Sequence, residues 1–119
     1  MGLFGKLFGP EPPPETPAEG DYLKLAMAWD VKKLERLMTH PEASVRSKVV
    51  AVVAMVGKMK PVGNQVIYRP DNKMAAPMCT FLLKHARDQD PAVREEILKA
   101  LEASHVPEVE AAAKQLRAG

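Results

Sequence analysis

Residues 40–46 read HPEASVR and residues 88–94 read DQDPAVR, two versions of one phrase 48 positions apart. At that shift Val45-Arg46 falls on Val93-Arg94, Val49 on Ile97 and Val53 on Leu101, while Leu34 in the preceding segment falls on Leu82. A phrase recurring at a fixed offset constrains the fold more than any bulk property. Each copy is one supersecondary unit that cannot bury its own apolar face, so the copies must stack. Within each copy the apolar residues step by three and four, the period of an α-helix. The second copy carries its own start signal. Asp90 is placed to accept the orphan amides of a first turn, and Pro91 takes the first helical position, where no amide donor is needed.

The segments around the phrase follow the same period. Asp21 is a candidate N-cap for a helix containing Tyr22, Leu23, Leu25 and Met27. Asp30 opens VKKLERLM, in which Val31, Leu34, Leu37 and Met38 share one face; this stretch ends at Thr39-His40-Pro41. The next segment, SVRSKVVAVVAMVG, places Val45, Val49, Val52, Val53 and Val56 at helical spacings and closes on Gly57, read as a C-terminal stop. Its β-branched richness also suits a buried strand, but its length and three-four recurrence favour a helix. Near the end, VPEVEAAAKQL at 106–116 keeps the proline and valine but has Glu110 where the arginine stands. It reads as a terminal helix that caps the stack.

A proline-bearing or acidic turn, then Val-Arg, then small and apolar residues at four-residue steps, resembles the HEAT-repeat family in its short bacterial form. The resemblance covers about residues 30–57 and 78–105. It implies an all-α domain over residues 21–119: a short right-handed α-solenoid of about two helix pairs with flanking terminal helices and a long inter-repeat loop. It also implies that Val45 and Val93 face inward, and that Arg46 and Arg94 bridge neighbouring repeats by pairing with turn carboxylates. Asp88 and Asp90 complete the motif in the second copy. The first copy departs from it: His40 replaces the turn aspartate and Glu42 the capping one, which predicts a weaker cap.

Eleven prolines are present, and five of them (Pro10, Pro12, Pro13, Pro14, Pro17) fall within eight positions. Residues 10–20, PEPPPETPAEG, therefore read as an extended polyproline spacer that holds its ends on the order of 30 Å apart. Its acidic neighbours make it a poor SH3 ligand. Ahead of it, MGLFGKLFG at 1–9 sets Leu3, Phe4, Leu7 and Phe8 on one helical face. Helices shorter than about 12 residues are marginal alone in water, so this amphipathic stub reads as a docking peptide on a stiff tether. The alternatives are a start that touches nothing, or a weak membrane-surface contact. The stub is too short and interrupted for a signal peptide, and Lys6 stands where myristoylation requires Ser or Thr. The longest apolar run, Val49–Val56, falls far short of a membrane span.

Residues 58–73, KMKPVGNQVIYRPDNK, break the helical period. Long connections in compact helical proteins are usually functional or disordered. Pro61-Val62-Gly63-Asn64 is turn chemistry, and Gln65-Val66-Ile67-Tyr68 suits a brief extension. Lys58, Lys60, Arg69 and Lys73 against Asp71 leave the loop basic, and Tyr68 beside Arg69 matches the residue types of binding hot spots. The candidate partner-binding residues are thus Leu3, Phe4, Leu7 and Phe8 on the stub, with Lys58, Lys60, Asn64, Gln65, Tyr68 and Arg69 on the loop. A merely solvated connector is the alternative reading of the loop.

Seventeen Lys and Arg against 15 Asp and Glu give a net charge of +2, so the chain is no polycation. Residues 21–60 are nonetheless net basic, a modest field for an acidic protein, phosphate or nucleic acid. The single Cys79 excludes an intrachain disulfide and points to a reducing, cytoplasmic setting; its apolar neighbours predict a buried, inert thiol. His40, His85 and His105 lack zinc-ligand spacing, and there is no GxxxxGK, GxSxG or HExxH. No catalytic residue, metal or cofactor is therefore expected. His85 falls on Leu37 at the repeat shift, which predicts a partly buried helix-face histidine.

The expected function is a non-catalytic cytoplasmic protein–protein interaction module: a small scaffold or accessory subunit of a larger complex. One alternative is nucleic-acid or phosphate binding through the basic 24–73 region, for which stacking aromatics are few (Tyr22, Trp29, Tyr68). A lyase or chaperone-like accessory role is implied by the family resemblance alone.

Overall fold

The computed structural model describes Pro12 and residues 14–119, and over them the chain forms six helices and one β-hairpin. The order is α1 (Asp21–Met27), α2 (Val31–Leu37), α3 (Ala43–Gly57), β1 (Met59–Val62), β2 (Gln65–Tyr68), α4 (Ala76–Lys84), α5 (Pro91–Glu102) and α6 (Pro107–Ala118). The stub expected over residues 1–9 lies outside the described residues. The fold is mostly helical, and the hairpin is its departure from an all-α architecture. Within the segment expected as a long loop, the brief extension expected at Gln65–Tyr68 is β2, while β1, which was not expected, pairs with it; the hairpin joins two helices that pack on each other, α3 and α4.

The helices assemble around α3, which touches α1, α2, α4 and α5; α4 also lies on α5, and α6 packs on α5. The 48-residue offset seen in the sequence recurs in the helix starts and in burial. Helices α3 and α5 start 48 residues apart, and the matched pairs Val45/Val93, Val49/Ile97, Val53/Leu101 and Leu34/Leu82 are all 2% exposed or less. Full burial of such a side chain contributes roughly 1.5–3 kcal/mol, so these eight positions anchor one continuous core. On α2 the expected face divides. Leu34, Leu37 and Met38 are buried, but Val31, the first helical residue, is exposed.

Capping follows the sequence unevenly. Asp90 accepts from the Ala92 and Val93 amides at 2.8 and 3.2 Å, with Pro91 at the first helical position. Asp30 accepts from the Lys33 amide, whereas Glu42 makes no side-chain cap, as its longer side chain at that position predicts. Asp21 is not a cap. Gly20 takes that place and Asp21 is the first helical residue. Gly57 is likewise no left-handed stop, since its φ lies outside that region. It closes α3 where a Cβ would stand 2.7 Å from Met74 Cγ and 3.0 Å from Met78 Cβ, so its role is close packing. Among the described residues, the non-glycine residues with left-handed backbone are Trp29 (φ 49°), between α1 and α2, and His105 (φ 60°), between α5 and α6.

The repeat motif is also visible atom by atom. Arg46 Nη1 donates to the His40 carbonyl at 2.7 Å, and Arg94 Nη1 donates to the equivalent Asp88 carbonyl at 2.8 Å. The Asp90 amide donates to Asp88 Oδ1 at 2.9 Å, and the Glu42 amide donates to His40 Nδ1 at 3.0 Å. His40 thus performs the same turn-closing task as the aspartate it replaces. Arg46 goes on to bridge the two copies: its Nε and Nη2 donate to Asp88 Oδ2 and Oδ1 at 2.8 and 3.0 Å, with the two side chains only 4% and 7% exposed. Burial opposes ionisation of Asp88, but the bonds from Arg46 and the Asp90 amide outweigh it and hold the carboxyl below its ordinary range. Arg94 does not bridge as expected. It bonds only the carbonyls of Asp88 and Gln89, because among the described residues no acidic turn faces it as Asp88 faces Arg46.

Candidate functional site

The hairpin turns on Gly63-Asn64. Gly63 has φ 62° and Asn64 does not share the positive sign, the pattern of a type II′ turn, which takes glycine at its first central position. The strands are antiparallel, with Met59 opposite Tyr68, Lys60 opposite Ile67, Pro61 opposite Val66 and Val62 opposite Gln65. Facing residues share a side and alternate along the strand. One side therefore carries Met59, Pro61, Val66 and Tyr68, and the other Lys60, Val62, Gln65 and Ile67. Pro61 suits an outer strand, where a missing amide disrupts no interior ladder. A two-stranded hairpin alone is marginal in water, so its attachment decides whether it is a defined surface.

That attachment is Lys58. Expected on the binding surface, it is buried at 5% exposure. Its amine donates to the carbonyls of Pro70 and Ala103 and lies 3.4 Å from His105 Nδ1, which ties the hairpin base to the turn between α5 and α6. Asn72 Nδ2 closes the base from the other side by donating to the Lys58 carbonyl at 2.8 Å. Burial pushes the Lys58 amine below its ordinary value. Two backbone bonds fix the return into α4, Met74 N to Ser104 O at 2.8 Å and Ala75 N to Gly57 O at 2.9 Å. Lys58 is a structural clamp, and it leaves the set of candidate contact residues.

The remaining loop candidates come together. Asn64, Gln65, Tyr68 and Arg69 are exposed and Lys60 is half-buried, all on or beside the same hairpin. Sequence reasoning missed the residues that dominate its apolar area. Val62 and Val66 are 51% and 57% exposed, more than Tyr68 at 46%. Their signal was Val62 just before Gly63-Asn64 and Val66 two positions after it, readable once that pair is taken as a two-residue hairpin turn. Val66 and Tyr68 share one side and Val62 lies on the other, so the hairpin exposes apolar side chains on both of its faces among polar neighbours, a feature of interaction surfaces. Leu3, Phe4, Leu7 and Phe8 lie outside the described residues.

Elsewhere part of the basic excess is engaged. Lys48 pairs with Glu19 at 2.7 Å, Lys24 and Lys33 each lie 3.9 Å from Asp21 and Asp30, and Arg46 and Lys58 are spent inside. His85 is half-buried, as its alignment with Leu37 predicts. It bonds Glu35 and rests on Phe81 with ring centroids 4.8 Å apart, while Lys84 reaches the same carboxylate at 2.7 Å. Burial opposes ionisation of Glu35, but the bonds from Lys84 and His85 prevail and lower its pKa. Cys79 is buried, which raises its thiol pKa and disfavours the thiolate. Among the described residues no three His, Cys, Asp or Glu side chains are grouped to hold a metal ion, and no helix is long and apolar enough to cross a membrane. Comparison with protein-family models, with curated proteins and with solved structures found no match.

Proposed function

We propose that this protein is a non-catalytic interaction module, a small HEAT-like α-solenoid that presents its hairpin to a protein partner in the cytoplasm. The observation that carries the reading is the pairing of a firmly rooted base with an exposed apolar tip. Lys58 fixes the hairpin to the helical body, while Val62, Val66 and Tyr68 face solvent with Lys60 and Arg69 at their margin. Ordering such a strand pair in advance lowers the entropy lost on binding. Matched helix starts and the repeated arginine contact support the solenoid arrangement. The stub at residues 1–9, on its proline-rich tether, would dock at a second position and raise the local concentration of each element near the other. Nucleic-acid binding draws less support, because stacking aromatics are few and Arg46 and Lys58 of the basic 24–73 region are spent inside the fold.

The test is partner capture by the intact chain against a V62S/V66S/Y68S variant and a chain lacking residues 1–19. Both changes should weaken capture while the helical circular-dichroism signal stays intact. Unchanged capture by the triple variant sinks the hairpin reading, and unchanged capture by the shortened chain sinks the two-site reading.

A further inference from the structure

Arg46 and Arg94 are equivalent residues in different surroundings. Both are aimed by the same bond, from Nη1 to the carbonyl six residues upstream. Arg46 then gives its other donors to the Asp88 carboxylate, presented by the turn ahead of α5. Arg94 meets no carboxylate among the described residues. It lines an open groove of about 890 Å³ bounded by α5, α6 and the turn after α4, with Leu98, Ala112 and Leu116 as apolar lining and Arg87 as a second guanidinium. Glu95 also lines the groove, but Arg117 holds it at 2.8 Å. The groove thus pairs an apolar lining with an arginine already aimed by the backbone.

We infer that this groove receives a helix of a partner protein preceded by an aspartate-bearing turn, whose carboxylate takes on Arg94 the place that Asp88 takes on Arg46. Charge complementarity and the internal template set that chemistry. A fork-on-carboxylate bond is strong and directional, and the α5 turn already makes one to the preceding copy. A second copy of this chain cannot supply the same turn, because its own Asp88 is committed to Arg46 and buried with it. This surface is distinct from the hairpin.

The probe is a fluorescein-labelled peptide of residues 86–105, the chain's own acidic turn and helix, titrated into the full protein. Anisotropy should report saturable binding, with amide shifts at Leu98, Ala112 and Leu116. A D88N peptide should bind about tenfold more weakly, and R94Q in the protein should produce a similar loss. Because Arg94 also bonds its own turn, A112W provides the second arm: it fills the groove without touching that bond and should abolish binding with Tm unchanged. Absence of saturable binding, equal binding of the D88N peptide, or binding unaffected by A112W overturns the inference. So does self-association that A112W relieves, which would assign the groove to a second copy. The hairpin takes no part in this titration, so failure here leaves the proposed function standing.

Discussion

At the scale of single residues, the account depends on two buried cations with different duties. Removing one partner of the Arg46–Asp88 pair leaves an uncompensated buried charge, so R46A should cost about 3–5 kcal/mol in urea unfolding. The pair also sets a pH dependence. The folded Asp88 pKa lies below its unfolded value, so its contribution is fully present above the unfolded carboxyl pKa of about 4 and is lost as pH falls through the folded value. Glu35, also lowered, acts in the same direction. Stability should decline below about pH 4, and less steeply in D88N; an identical acid slope in D88N contradicts the assignment. K58M should leave the Pro70 and Ala103 carbonyls without their donor, at about 1–3 kcal/mol. The two residues differ in legibility. The Val-Arg phrase announces Arg46, and the family resemblance names its partner type. Nothing near Lys58 announces burial, because its acceptors lie 12 and 45 positions away.

At the scale of elements, helices were readable because period, cap and breaker agree along the chain. Asp90 and Pro91 mark the start of α5 without tertiary information, and D90A should cost about 1 kcal/mol while E42A, which removes no cap bond, should cost little. The hairpin was half legible. Gly63 and the β-rich Gln65–Tyr68 signal a turn and one strand. The opposing strand, Met59–Val62, carries a lysine and a proline, and only pairing with β2 makes it a strand. Gly57 shows the same limit: a glycine at a helix end reads as a stop, whereas Met74 and Met78 fix it by proximity. Alanine at Gly63 meets no atom within 4 Å but must adopt a positive φ, so G63A should destabilise the hairpin by about 1 kcal/mol. Hydrogen exchange at Lys60 and Ile67 should quicken while amides of α3 and α5 hold their rates.

At the scale of the whole molecule, the internal duplication organises the core and the hairpin interrupts it. Equivalent valines and arginines build the helical body, and Lys58 fixes the base of the hairpin to it. The exposed apolar residues of the hairpin were only partly foreseeable, because Val62 precedes the turn in a strand that carries a lysine and a proline and shows its exposure only once β1 pairs with β2. The central claim is that this exposed tip meets a protein. Its most direct measurement places a photo-reactive benzoylphenylalanine at Val66 in the full chain, with Lys32 on the exposed face of α2 as the control position, and irradiates each in native extract. The account predicts one defined protein adduct at Val66 and none at Lys32. No adduct at Val66, or the same adducts at both positions, would contradict it.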